Sequence, residues 1–169
     1  MRKQVIAKAR KIKLLLTDID GVWTDTGVYY SARGEELKRF SIRDGMGVER
    51  LREIVSVETG IITGENSAAV VKRAEKLGIV EMHLNARHKV SVIASIMEKR
   101  LFAPEEMAYI GDDTNDIEAL GVVGLSVCPA DAVSAVKEIV DYVCESAGGH
   151  GAFRECAELI ILSKKEVTT

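Results

Sequence analysis

A chain of 169 residues, 47% hydrophobic and 29% charged, is long enough to bury one substantial core, and it reads as one domain over 1–169. A net charge of −3 without a basic, aromatic-laced stripe argues against a nucleic-acid partner, and no apolar run approaches the ~20 residues of a membrane span. The start, "MRKQVIAKARKIKLLL", has the positive flank of a signal peptide, but its apolar run meets Asp18 with no cleavage-like site, so a cytoplasmic chain is expected.

Short apolar runs alternate with stretches of helical period, the pattern of an α/β sheet. "KLLLTD" is a predicted first strand. In "GVYYSARGEELKRFSI" two β-rich pieces, 28–30 and 37–42, flank a polar turn and predict a hairpin over 27–42. A helix follows with Asp44 as N-cap and Met46, Val48, Leu51 and Ile54 on its apolar face. "SVETGIIT" is a second strand and "SAAVVKRAEKLG" a helix closed by Gly78. "IVEMHL" is a third strand, a helix opens near Lys89, and Pro104 starts a short helical turn. "MAYIGDD" is a fourth strand, and the alternation continues through "GLSVCP" and "DYVCES" to a C-terminal helix and tail over about 148–169. Cys128, Cys144 and Cys156 are odd in number and lack metal-ligand spacing, so they are expected to be buried and reduced.

Three strands end in reactive polar residues. The first supplies Asp18 and Asp20, the second Thr63, and the fourth Asp112, Asp113 and Asp116, while Lys89 opens an intervening helix. In an open parallel sheet such strand ends converge on one crevice. Crowded carboxylates repel one another, so something positive belongs among them. Asp18, Asp20 and Asp112 make an all-oxygen site of the kind that holds Mg²⁺, and Lys89 with the Thr63 hydroxyl would complete an anion pocket. A calcium-loop reading of "DIDG" fails, because Val22 stands where a third oxygen ligand belongs and a strand precedes the motif.

The set "DIDGV", "IITG", Lys89 and "IGDDTND" resembles the haloacid dehalogenase superfamily of phosphohydrolases. It is more similar still to the cap-less 3-deoxy-D-manno-octulosonate 8-phosphate (KDO 8-phosphate) phosphatases and the related nonulosonate 9-phosphate phosphatases, over about 13–162. The resemblance implies a Rossmann-like, three-layer α/β/α fold with a parallel sheet, a β-hairpin flap and no cap domain. It implies Mg²⁺, with Asp18 as nucleophile, Asp20 as acid/base and backbone metal ligand, Asp112 as the third ligand, and Asp113 and Asp116 in support. Thr63, the Gly64 amide and Lys89 would hold the phosphoryl oxygens. A homotetramer is expected in which hairpins pack together and a neighbour's "GGHGAFRE" stretch reaches the active site.

The substrate implied is a phosphorylated 3-deoxy-2-ulosonic acid, whose carboxylate needs cationic partners such as Arg43, Arg73 or Arg154. The run around Arg43 resembles the 8-phosphate enzymes, whereas Glu65, Arg73 and Lys76 resemble the 9-phosphate enzymes, and His150 departs from both. Two other classes compete. A receiver domain would place Thr and Lys after its last acids, the reverse of the order here, and a non-catalytic regulatory domain would have no need for intact Asp18, Asp20, Lys89 and Asp112.

Overall fold

The computed structural model describes residues 2–166. The chain opens with α1 (Arg2–Ala9) and β1 (Leu14–Thr17), then a hairpin of β2 (Tyr29–Ser31) and β3 (Gly34–Leu37). There follow α2 (Ile42–Val55), β4 (Glu58–Ile62), α3 (Ala68–Leu77), β5 (Glu81–His83) and α4 (Lys89–Arg100). The last third comprises β6 (Met107–Ile110), α5 (Ile117–Gly121), β7 (Leu125–Cys128), α6 (Ser134–Lys137), β8 (Tyr142–Val143) and α7 (Ala152–Lys165).

Six of the strands form one parallel sheet in the order β5-β4-β1-β6-β7-β8. All four residues of β1 are buried, as are those of β6 and β7, which is why these strands read as continuous apolar runs: helices cover both faces of a parallel sheet. Leu15, Ile61, Ala108 and Ile110 face one layer, with α2, α3 and α7 and buried residues of α1 packed over them. Leu14, Leu16, Ile62 and Tyr109 face the other, against α4, α5 and α6. The fold is thus the three-layer Rossmann-like one expected, with the two-stranded β2–β3 sheet standing apart as the flap.

Three local expectations are revised. The second hairpin strand is Gly34–Leu37 rather than 37–42, because the turn needs only Ala32 and Arg33, with Gly34 taking a φ of 100°. Ser41, not Asp44, is the N-cap of α2: its hydroxyl accepts from the Asp44 amide at 3.4 Å. Asp44 serves a different helix, its carboxylate accepting from the amides of Gly151 (3.2 Å) and Arg154 (2.9 Å) at the start of α7. Met46 is exposed while Val48 and Leu51 are buried. The basic start is a helix with Val5 and Ala9 in the core, so its apolar residues serve packing.

Gly78 closes α3 in the left-handed conformation, as expected, and all three cysteines are free and buried. Among the described residues no helix is long and apolar enough to cross a membrane.

Candidate active site

β1 lies between β4 and β6, with Thr17 level with Ile61 on one side and Ile110 on the other. The residues that follow, Asp18, Thr63 and Asp112, therefore emerge at one edge of the sheet by register alone. Together with Asp20, Gly64 and Glu65 they line a cleft of about 280 Å³. Two residues that the sequence reading missed, Thr26 and Asn115, line it as well.

The chain turns away from Asp20 through Gly21, at a φ of 84°. A Cβ there would overlap the Asp112 carboxylate, so glycine is required both for the turn and for the close approach of the two acidic loops. Gly148 is packed in the same way, against the carbonyl of Gly21, while Gly149 donates to the Val22 carbonyl at 2.9 Å. The "GGHG" stretch is thus fixed to its own chain's nucleophile loop.

Lys89, the first residue of α4, is buried beneath the cleft. Its Nζ lies 3.0 Å from Asp18 Oδ2, 2.6 Å from Asp116 Oδ1 and 3.1 Å from the Tyr109 hydroxyl. Tyr109 in turn donates to Asp116 Oδ1 at 2.6 Å, and Asp116 Oδ2 accepts from the amides of Asp112 (3.0 Å) and Asp113 (3.3 Å). Every oxygen of Asp116 is therefore engaged, and this fully buried carboxylate fixes both Lys89 and the loop that carries Asp112. Burial opposes the Lys89 charge, but Asp18 and Asp116 outweigh it and raise its pKa.

The acids facing the cleft are in the opposite condition. Burial, with repulsion from Asp116, raises Asp18 to about 7 in spite of Lys89. Burial and repulsion from Asp18, Asp116 and Asp113 raise Asp112 to about 8. One lysine does not neutralise this cluster. Oxygen atoms of Asp18, Asp112 and Asp116 come within 4.8 Å of one another, and since Asp116 is already saturated, Asp18 and Asp112 are the pair left to face a cation. An all-oxygen donor set of this kind fits a hard divalent ion.

The Asp20 carboxylate, also in the cleft lining, is held from the flap side. Its Oδ1 accepts from Lys38 at 2.6 Å and from the Thr24 hydroxyl at 3.4 Å. Thr63, buried, accepts from the Glu65 amide at 3.3 Å and keeps its hydroxyl hydrogen for a ligand. Asp113 caps the turn over 114–116, its carboxylate accepting from the Thr114 amide at 2.6 Å.

The structure brings none of Arg43, Arg73, Arg154 and Lys76 to the cleft lining. Arg154 is paired with Glu158 at 2.8 Å. Arg73 donates to the Ser41 carbonyl at 2.9 Å with its guanidinium 5.9 Å from the centre of the Phe40 ring. Arg43 and Lys76 are exposed.

Comparison with known proteins matches this geometry. Residues 56–155 fit the family described as haloacid dehalogenase-like hydrolase. The chain belongs to that family. It is 42% identical over 160 residues to the 3-deoxy-D-manno-octulosonate 8-phosphate phosphatase KdsC of Escherichia coli (strain K12), covering 95% of this chain and 85% of the relative. Two solved structures superpose closely. The cobalt-bound deoxy-D-mannose-octulosonate 8-phosphate phosphatase of Haemophilus influenzae has a TM-score of 0.90 at 36% identity, over 94% of this chain and 92% of the other. The Moraxella catarrhalis 3-deoxy-D-manno-octulosonate 8-phosphate phosphatase, in complex with magnesium, phosphate and KDO, has a TM-score of 0.93 at 31% identity, over 98% and 95%. In this haloacid dehalogenase-like chain Asp18, Thr63 and Asp112 line one cleft, with Lys89 beneath it. Lys38 and Tyr109 were missed: a hairpin lysine reads as solvated, and a strand tyrosine as core.

Proposed function

We propose that this chain is a Mg²⁺-dependent phosphoric monoester hydrolase that converts 3-deoxy-D-manno-octulosonate 8-phosphate to KDO and phosphate through an aspartyl-phosphate. The observation that carries the reading is the convergence of Asp18, Asp112 and Thr63 on one cleft, with Lys89 bonded to Asp18 beneath it, in a chain 42% identical to an enzyme of that activity.

Lys89 holds Oδ2 of Asp18 and fixes the direction in which the carboxylate meets phosphorus. Asp18 attacks in line as the ester P–O bond breaks, and Asp20 gives a proton to the departing sugar oxygen. Water then attacks the phosphorus of the aspartyl-phosphate, Asp20 takes its proton, and phosphate leaves. The Thr63 hydroxyl, the Gly64 amide and Lys89 hold the phosphoryl oxygens through both transfers, and Asp113 and Asp116 support the loop and the lysine. Mg²⁺, held by Asp18, Asp112 and the Asp20 carbonyl, supplies the positive charge that lets an anionic nucleophile approach an anionic ester.

The assembly proposed is a cytoplasmic homotetramer. Tyr29 (59% exposed), Tyr30 (73%), Leu37 (63%) and Ile42 (80%) give the flap apolar surface that self-association would cover. Among the described residues the cleft lining offers no arginine or lysine for the substrate's carboxylate, which leaves that role to groups brought in by the proposed assembly, Arg43 and Lys76 among them.

Glu65 at the cleft favours the nonulosonate 9-phosphate as the competing substrate. Mg²⁺-dependent phosphate release from the 8-phosphate and from 9-phosphates, at matched concentrations, decides between them. We expect a preference of about 100-fold or more for the 8-phosphate, about 2.7 kcal/mol in transition-state binding. Faster turnover of a 9-phosphate would overturn the assignment and make Glu65 the specificity residue.

A further inference from the structure

Lys38 lies just beyond β3, between two exposed residues, Leu37 and Arg39. A hairpin lysine in that setting is ordinarily solvated. Here its side chain is only 1% exposed. The ammonium lies 2.6 Å from Asp20 Oδ1 and 3.4 Å from Glu35 Oε2. A lysine charge is withdrawn from water at considerable cost unless it is paired and hydrogen-bonded, and these two carboxylates meet that condition.

The far end of this linkage is also unusual. Ser67 precedes α3 in the N-cap position, where a serine side chain normally accepts from the first helical turn, yet it makes no such bond. Its hydroxyl donates to Glu35 Oε1 at 2.6 Å instead. A continuous chain of contacts, Asp20–Lys38–Glu35–Ser67, therefore runs from the loop after β1, through the hairpin, to the loop after β4.

Both side-chain contacts to Asp20, from Lys38 and Thr24, fall on Oδ1. Among the described residues Oδ2 takes no side-chain hydrogen bond, and Asp20 is part of the cleft lining. We infer that Lys38 is a positioning residue: it holds Oδ1 of Asp20 so that Oδ2 is the oxygen that exchanges the proton with the ester and then with water. This rests on the phosphatase reading given above. In the first transfer the Asp18 O–P bond forms, the ester P–O bond breaks, and the sugar oxygen keeps the electron pair and takes the proton from Asp20 Oδ2. In the second the water O–P bond forms, the Asp18 O–P bond breaks, and the water proton returns to Oδ2.

The test uses leaving groups. A sugar alkoxide needs a proton as it departs, whereas the nitrophenolate of p-nitrophenyl phosphate needs little. The ratio kcat/KM reports the steps up to leaving-group departure, so misdirection of Asp20 lowers it unequally for the two esters. We expect Lys38→Met to lose about 30-fold or more in kcat/KM with KDO 8-phosphate, mostly in kcat, and about tenfold less with p-nitrophenyl phosphate. Lys38→Arg, which restores a cation at Oδ1, should recover most of the loss. Glu35→Gln, which weakens the linkage and keeps the lysine, should show the same pattern at smaller size, and it decides the matter if Lys38→Met fails to fold by thermal unfolding. Equal losses on both esters, or a raised KM with kcat unchanged, would overturn the inference. Absence of phosphate release from the wild-type protein would instead overturn the phosphatase reading.

Discussion

The floor of the cleft and the flap above it are built on different principles. The floor hangs from the ends of three adjacent strands. Lys89, Asp116, Asp18 and Tyr109 are almost wholly excluded from water, and every polar group of Asp116 is bonded. The flap is two short strands with Tyr29, Tyr30 and Leu37 in solvent, tied down by Lys38 to Asp20 and by Glu35 to Ser67. A two-stranded ribbon alone is marginal in water, so its placement depends on those ties and on whatever covers its apolar side. The difference teaches that position in the floor is fixed by sheet register, whereas position in the flap rests on a few side chains.

The sharpest way to break the floor is to remove the nucleophile. Asp18→Asn should lower kcat by about 10⁴-fold or more, with the fold kept, as measured by single-turnover phosphate release. Metal removal comes next. Chelation should abolish turnover, and Mg²⁺ should restore it.

That effect carries a pH signature. Burial and repulsion from neighbouring carboxylates push the pKa of Asp18 up to about 7 and that of Asp112 up to about 8, from an ordinary carboxylate value of 3.8. For carboxylates shifted upward, the stability they contribute to the metal-free protein is fully present below the unfolded pKa and is lost as pH rises through 7 and 8. Mg²⁺ binds the ionised pair, so the increase in Tm caused by Mg²⁺ should be small near about pH 6 and grow toward about pH 9. An increment independent of pH would show that these two carboxylates do not hold the ion.

Lys89→Met should cost about 10²- to 10³-fold in kcat, since it leaves Asp116 and Asp18 buried without their cation. On the flap, Tyr30→Asp combined with Leu37→Asp should shift the mass measured by light scattering from tetramer to smaller species while Tm moves by only a few degrees, because exposed substitutions change stability by about 0.5 kcal/mol or less. The smallest effect is expected of Tyr109→Phe. It removes one donor to Asp116 and should lower stability by about 1 kcal/mol in denaturant unfolding, with activity changed only a few-fold.

The same contrast explains what the sequence disclosed. β1, β4 and β6 were legible because strands buried on both faces read as short apolar runs, 14–16, 61–62 and 107–110, and the polar residues that follow mark the sheet's edge. The order of Asp18, Thr63, Lys89 and Asp112 then carried the family resemblance. The boundaries of β3 and α2 were not legible. Glu35 and Glu36 look like turn residues yet lie within a strand, Glu35 paired with Tyr30 and Glu36 at the irregularity between two pairs, and Asp44 looks like a cap for its own helix yet caps α7, more than 100 residues away. Lys38 stayed hidden for a related reason: its burial results from meeting Asp20 across a hairpin, and no local pattern encodes that. The arginines chosen for the substrate's carboxylate were read from residue type and resemblance alone. In the structure Arg154 is held by Glu158, and Arg73 by a backbone carbonyl and an aromatic ring.

The most direct test of the account is to trap the covalent intermediate. The wild-type protein, turning over KDO 8-phosphate with Mg²⁺, is quenched in acid and reduced with borohydride, which converts an aspartyl-phosphate to homoserine, and its peptides are sequenced by mass spectrometry. The account predicts homoserine at position 18 and unmodified aspartate at position 20. Phosphate release with no modification at Asp18, or with modification at Asp20 or Asp112 instead, would contradict it.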